Sequence, residues 1–486
     1  MGYSRAYTRF SVPVTVISEP AAGRTTDWLR PLVCCAILLV LAVGWWLPTE
    51  VEPRAQRALA VAVSAILLWT THLIHPAWTG VLAVAFLFAT GLTDVETLGA
   101  GLRGETVWFL GFAMILGLMA TRSGLAERVA FMIAARAGHS YAALLLGFIA
   151  IDLVLTFFVP SGIARVTILA AIVLGLIDAA GLRRDASPAR GLMLAVTYSG
   201  GLFDKMILAG ATAILASGLI ERLTGQRLTY ASWITAFGPA LALSVGVCWS
   251  CTLWLYPDRA RELDHQAGYF RERLGHLGEW TPVQKRTAVL LPLAVLLWMT
   301  DALHHVRPVV VAGAVSILGV LPGIGILRVR DLRHLRYSVL VFTAAGLSLT
   351  AILMETGGLA LLTSALTEWM KGLVSGPLSA AVVMYWSAFL YHLFLGAESS
   401  LISATMPAIL QFARDQHLPV VPIGLIWTFA ASGKVFAYQS AVLMVGFATG
   451  VFTARDLARF GLVMTVVESV VLLLIVGVYW PLVGLL

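Results

Sequence analysis

Apolar runs recur along the whole chain, and several of them stop short of the length a lipid bilayer demands. They lie at about 28–48, 57–75, 78–93, 107–121, 140–158, 163–181, 190–220, 231–256, 287–303, 308–327, 337–355, 376–396, 400–412, 422–433, 439–453 and 456–486. A helix that crosses the hydrocarbon core needs about 20 apolar residues. The short runs, and the runs split by polar tips, predict an all-α polytopic membrane protein with irregular backbone at membrane depth. Composition agrees. Of 486 residues, 59% are hydrophobic and only 12% are charged, against about 25% charged in a typical soluble protein. This excludes a soluble enzyme, a disordered chain and a disulfide scaffold. The four cysteines, Cys34, Cys35, Cys248 and Cys251, lie in apolar runs and read as small buried apolar residues. Walker, H-E-x-x-H, haem and flavin signatures are absent from the sequence, so neither a cofactor nor a metal is expected.

The 33 basic residues exceed the 26 acidic ones. In an apolar chain this excess reports topology rather than nucleic-acid binding, because Lys and Arg collect in cytoplasmic loops. Let residues 1–27 be a cytoplasmic segment and the run near Trp28 an uncleaved first span. Let 140–181 be a re-entrant hairpin entering from the cytoplasm and 376–412 one entering from outside. Then 22 basic residues fall inside, eight fall outside, and Arg165, Lys205 and Lys434 lie at membrane depth. The expectation is about 11 transmembrane helices, a cytoplasmic N-terminus, an outside C-terminus and a place in the cell's inner (plasma) membrane. The tryptophans at 45, 46, 233, 280, 369 and 480 read as interfacial belts.

A polar insert at 257–286, expected to be a cytoplasmic linker, separates 28–256 from 287–486. The two parts echo each other. Gly124-Leu125-Ala126 matches Gly358-Leu359-Ala360. A hairpin with a polar tip follows each, at Ser161-Gly162 and at Glu398-Ser399-Ser400. A broken span follows each hairpin, at Gly200-Gly201-Leu202-Phe203-Asp204-Lys205 and at Ala431-Ser432-Gly433-Lys434. One part begins inside and the other outside, so the expected repeats are inverted, with a binding site at their interface.

The candidate residues follow from charge in apolar surroundings. Glu398 stands between two apolar helices, and intramembrane carboxylates are costly and functional by default. Lys205 and Lys434 stand at the two expected breaks, and a buried ammonium needs a partner or an anionic ligand. Asp204 is adjacent to Lys205, and Glu398 is a second partner if it reaches Lys434. Gln439 and Ser440 add polar groups next to Lys434. Asp152 and His392 lie on the first arms of the two hairpins, and Glu468 in the last span has no evident partner.

The hairpin motifs carry a resemblance. Ala150-Ile151-Asp152-Leu153-Val154-Leu155-Thr156 followed by Val159-Pro160-Ser161-Gly162-Ile163-Ala164-Arg165 is similar to A-D-L-V-L-A followed by T-P-S-N-T-A-R. Tyr391-His392-Leu393-Phe394 through Ser403-Ala404-Thr405-Met406-Pro407-Ala408 is similar to H-Y-x-F … S-A-x-x-P-A. Over about residues 28–486 the chain resembles the divalent anion/sodium symporter family of the larger ion transporter superfamily. It is nearest the branch of 2-oxoglutarate/malate translocators and citrate/succinate exchangers. The resemblance implies two inverted repeats, two opposed re-entrant hairpins and a homodimer working by an elevator motion. It also implies di- or tricarboxylate substrates, sometimes sulfate, and two sodium sites built by the hairpin tips with the broken spans. Taking the resemblance at the hairpin tips together with the charged residues read above, the expected substrate-binding residues are Ser161, Gly162, Ile163, Arg165, Lys205, Glu398, Ser399, Ser400, Lys434 and Gln439, and the coupling or proton candidates are Asp152, Asp204 and Glu398.

The chain departs from the family where sodium binds. The family's tips read Ser-Asn-Thr; here they read Ser161-Gly162-Ile163 and Ala397-Glu398-Ser399, so both Asn side chains are gone. A Lys ammonium is a fixed charge of the same sign as sodium. Lys205 and Lys434 are therefore expected to replace two coupling ions, giving a sodium-independent carrier of organic anions. An empty carrier with two uncompensated buried cations crosses reluctantly, so exchange is expected. Three alternatives remain at this level: a sodium- or proton-coupled symporter, a cation or metalloid efflux carrier, and an intramembrane enzyme with an Asp152–Asp204 dyad.

Overall fold

The computed structural model describes residues 29–71, 73–137, 140–259, 263 and 267–486. The expected cytoplasmic segment 1–27, with Arg5, Arg9 and Arg24, and parts of the 257–286 linker lie outside the described residues. Among the described residues the regular structure is entirely helical.

Among the described residues, seven helices suffice by length and composition to cross a membrane: Glu105–Arg122, Gly162–Ala179, Ser187–Thr224, Tyr230–Leu255, Tyr337–Glu355, Pro377–Phe394 and Ala454–Leu482. Five shorter apolar helices accompany them, Pro31–Trp46, Pro76–Ala89, Tyr141–Thr156, Pro308–Val320 and Val420–Ala430. The expectation of about 11 full spans thus meets seven. The shortfall has local causes. Pro76 and Pro308 fix where two of the shorter helices begin, in the first turn, where a missing N–H costs nothing. Run 308–327 stops being helical after Val320, where Gly323 and Gly325 take positive φ.

The 190–220 run divides in two. The Ser187–Met206 helix ends, the chain turns through Ile207–Gly210, and Ala211–Thr224 resumes. Gly210 makes the turn feasible. A Cβ there would sit 1.8 Å from the Asp204 carbonyl oxygen, so the backbone packs on the last turn it has just left. The second break is longer. Val420–Ala430 ends, a turn of 3-10 helix forms at Ala437–Gln439, and Ala441–Phe447 follows.

One order of elements occurs twice. A long helix (Glu105–Arg122, Tyr337–Glu355) ends at a glycine with φ +75°, Gly124 or Gly357. A ten-residue helix follows, Leu125–Ala134 or Gly358–Thr367. Next come a helical hairpin, a broken helix and a long helix, Tyr230–Leu255 or Ala454–Leu474. The backbone pairs Gly124 with Gly357, one residue away from the Gly124–Gly358 match read in the sequence.

Both broken helices lie at the centre. Ser187–Met206 is buried along nearly its whole length, as are Glu398–Asp415 and Val420–Ala430. Two tryptophans expected in interfacial belts are core residues instead. Trp233 donates from Nε1 to the Lys205 carbonyl at 3.2 Å, and Trp480 to the Ala236 carbonyl at 3.0 Å; both are buried. Trp46 and Trp369 are exposed, as a belt requires. The cysteine expectation holds for Cys248 alone, since Cys34 and Cys35 are exposed on the first helix and Cys251 is partly so.

Candidate functional site

Two charge clusters form where the hairpin tips meet the broken helices. The first is built on Arg165, in the first turn of the second arm of the Tyr141–Ala179 hairpin. Its fork donates in three directions: Nε to Asp152 Oδ1 at 2.9 Å, Nη1 to the Val159 carbonyl at 2.8 Å, and Nη2 to the Gly200 carbonyl at 2.8 Å. One side chain thereby joins the first arm, the tip and the Ser187–Met206 helix. Asp204 Oδ1 lies 3.7 Å from Arg165 Nη1, while its Oδ2 accepts from the Thr212 N–H and hydroxyl at 3.1 and 2.9 Å. Arg165 thus stands between the two aspartates. The dyad that an intramembrane enzyme would need is not formed.

The tip is also filled. A Cβ on Gly162 would stand 2.7 Å from the Gly200 carbonyl oxygen and 3.0 Å from Val442. The family's Asn at this position has no room unless the tip moves. Ser161 caps its helix, its Oγ accepting from Ala164 N at 3.3 Å. Ile163 is partly buried.

The second cluster gathers three charges from three elements. Glu398 is the first residue of the Glu398–Asp415 helix. Lys205 comes from the last turn of Ser187–Met206 and Lys434 from the second break. Lys205 Nζ donates to Glu398 Oε1 at 3.2 Å, and Lys434 Nζ donates to Glu398 Oε2. Lys434 Nζ also lies 3.5 Å from the Gly201 carbonyl. A Cβ on Gly201 would come within 3.1 Å of that ammonium, so the Gly200-Gly201 pair admits both the first tip and Lys434. All three charged side chains are at least nine-tenths buried. Glu398 therefore offsets one of the two ammonium charges and leaves one, which weakens the reason for expecting reluctant empty crossing. Asp204, next to Lys205 in sequence, is bonded to Thr212 instead.

Gln439 and His392 serve the second break. Gln439 Oε1 accepts from the Val435 and Phe436 N–H groups at 2.7 and 2.8 Å, and its Nε2 donates to the His392 carbonyl at 3.1 Å. The His392 ring nitrogens face the Gly433 and Gln439 carbonyls at 3.2 and 3.0 Å. These bonds satisfy backbone groups that an interrupted helix frees at membrane depth. Ser440 caps the following helix through Val442 N at 3.3 Å.

Sequence reasoning missed Thr212 and Ser403. Ser400 and Ser403 share one face of the Glu398–Asp415 helix, and both hydroxyls are buried without a hydrogen-bond partner. That helix begins at Ala397, which has no side chain to cap the first-turn N–H groups. The i, i+3 serine spacing after Glu398 was the available signal. Ser399 is partly buried. Glu468 lies outside both clusters and accepts from Ser244 Oγ at 3.0 Å.

A buried pair of ammonium groups at the first turn of a helix with no side-chain cap is suited to anions. It is unsuited to a bare cation, which like charges in low dielectric repel. Comparison with known proteins agrees. Residues 25–486 match the family described as the sodium:sulfate symporter transmembrane region. A membrane protein of Cupriavidus necator is 26% identical over 96% of this chain and 94% of its own length. The sodium-dependent dicarboxylate transporter SdcS of Staphylococcus aureus is 23% identical over 94% of this chain and 92% of its own. The crystal structure of the Alcanivorax borkumensis YdaH transporter, at 15% identity, has the same fold with a TM-score of 0.53, covering 88% of this chain and 98% of that one. The chain belongs to the sodium:sulfate symporter family, the divalent anion/sodium symporters, and is an integral membrane anion transporter rather than an enzyme.

Proposed function

We propose that this protein carries organic dianions, foremost C4 dicarboxylates, across the cell's plasma membrane without sodium. The observation that carries the reading is the convergence of Lys205 and Lys434 on one carboxylate. Two ammonium groups that grip both oxygens of a carboxylate from opposite broken helices hold the recognition element such a substrate needs. The carbonyls of Val159 at the first tip, and of Gly200 and Gly201 in the helix ahead of the break, already face Arg165 or Lys434. Fixed cations occupy the place of mobile ones.

The repeated order of elements supports two inverted repeats, 28–256 and 287–486, joined by the 257–286 linker. Their hairpins, at about 140–181 and 376–412, oppose each other with tips at the site. In this reading the protein is a homodimer whose site moves by an elevator motion. The N-terminus is cytoplasmic and the C-terminus outside. Substrate is held by Lys205, Lys434, Ser399, Ser400 and the N–H groups of the second tip, with Ser161, Gly162, Ile163, Arg165 and Gln439 forming the surrounding frame. The second reading, sodium-coupled symport, is favoured by the name of the Staphylococcus relative.

The substrate class is tested by uptake of labelled succinate into liposomes holding the purified protein, with unlabelled competitors outside. Succinate is expected to enter, dicarboxylates to compete and acetate not to compete, since one carboxylate leaves half the charge of the site unmatched. The match of two charges applies once Glu398 has released the ammonium pair; uptake of a monocarboxylate or of sulfate with exclusion of succinate would contradict the assignment.

A further inference from the structure

We propose that Glu398 is a tethered stand-in for the substrate's carboxylate, and that each dianion enters together with one proton carried on Glu398. The inference rests on the anion-carrier reading above and adds the coupling ion to it.

Glu398 occupies the position that an anionic ligand must take. Both its oxygens are engaged, one by each lysine, and the three residues are buried together. A substrate carboxylate gripped by the same two ammonium groups needs the same donors. The protein's carboxylate and the substrate's therefore compete. Charge decides how the competition ends. Lys205, Lys434 and ionised Glu398 sum to one positive charge. A dianion added to that cluster leaves one buried negative charge without a counter-ion, which is costly. A proton on Glu398 leaves two ammonium groups for the two charges of the dianion, and the cluster is neutral.

The other ionisable groups nearby are each engaged elsewhere; Glu468, which lies near enough to act on Lys205, accepts from Ser244. Facing Glu398 are Asp204 from the Ser187–Met206 helix, held by Thr212 and Arg165, and His392 from the first arm of the second hairpin, held between two backbone carbonyls. The other charged groups facing it are the two lysines themselves. Glu398 is also the first residue after the tip, in a helix whose N-cap makes no side-chain bond. A change at the tip swings its carboxyl without unwinding the helix. The step conserves atoms simply. A proton from the aqueous side binds a Glu398 oxygen, and the lysine N–H groups pass from that carboxyl to the substrate. On release the proton leaves and Glu398 returns to the lysines. The unloaded site then carries one positive charge rather than two, and crosses without a counter-anion more readily than a free ammonium pair would.

The test uses the full-length protein in liposomes with a pH-sensitive dye inside. The unmodified protein is expected to take succinate into anion-free vesicles, to acidify the interior by one proton per succinate, and to speed up about tenfold per unit of external acidification while Glu398 remains ionised. Glu398→Gln leaves the ammonium pair permanently free. It is expected to bind succinate at least about tenfold more tightly, to lose the acid stimulation, and to move succinate only in exchange for internal dicarboxylate. Uptake by the unmodified protein with no interior acidification would overturn the proposal, and needs no variant. So would a Glu398→Gln protein with unaltered acid stimulation and unaltered uptake into anion-free vesicles. Sodium dependence of the unmodified protein would instead overturn the parent reading, and the proton measurement still decides this one.

Discussion

Lys434→Gln is expected to abolish transport, lowering succinate uptake by at least about 100-fold, which corresponds to about 2.8 kcal/mol of lost anion recognition. Lys434 supplies one of the two charge-assisted bonds to the carboxylate position. Glutamine still reaches the Gly201 carbonyl but brings no charge. The substitution acts little on stability, because Glu398 keeps Lys205 as a one-to-one pair and the cluster loses its surplus charge. An unfolding temperature in detergent close to the parent's is the expected companion. The double variant Lys434→Gln, Glu398→Gln separates the two effects. It leaves Lys205 buried without a carboxylate, so melting is expected to fall while uptake stays lost. A single variant that transports at the parent rate would show that Lys434 takes no part in holding the anion.

Arg165→Lys is expected to lower stability by about 3–5 kcal/mol and to remove most transport, although the charge is kept. The guanidinium reaches Asp152, the Val159 carbonyl and the Gly200 carbonyl with separate nitrogens. An ammonium is a single point and cannot span them. Two buried carbonyls lose a donor, each at about 1–3 kcal/mol. The first tip is then released from the helix that bears Lys205, so the fault spreads to the anion site. Thermal unfolding in detergent, read beside succinate uptake, checks both halves. Unchanged melting would show that the fork is not what holds the tip.

Much of this arrangement was legible because charge in an apolar run is conspicuous. Lys205, Lys434 and Glu398 each interrupt such a run, and the Gly200-Gly201 pair sits in one. Which charge meets which was not legible. Asp204 and Lys205 are neighbours in sequence, yet successive residues of a helix point about 100° apart. Asp204 consequently turns to Thr212, and Lys205 turns to a glutamate 193 residues away. The helices Leu125–Ala134 and Gly358–Thr367 escaped notice because Glu127, Arg128 and a threonine-rich face break their apolar patterns. Arg128, next to Glu127, is a charge of the kind that ends an apolar pattern. It is buried, and donates to the Leu277 and Gly278 carbonyls at 3.0 Å. The belt assignment failed at Trp233 and Trp480 for a related reason: an indole N–H finds a carbonyl partner inside the protein as readily as water at an interface. The departure at Gly162 was visible as a missing Asn; the reason, a carbonyl from another helix in its place, belongs to the fold.

On the proposed reading, Lys205 and Lys434 do the work of the family's coupling ions. The most direct measurement is the initial rate of labelled succinate uptake by the unmodified protein in liposomes, with external sodium replaced stepwise by potassium at constant ionic strength. The predicted result is a rate independent of sodium down to its complete removal. A rate that falls to background without sodium, and saturates as sodium is restored, would contradict the account.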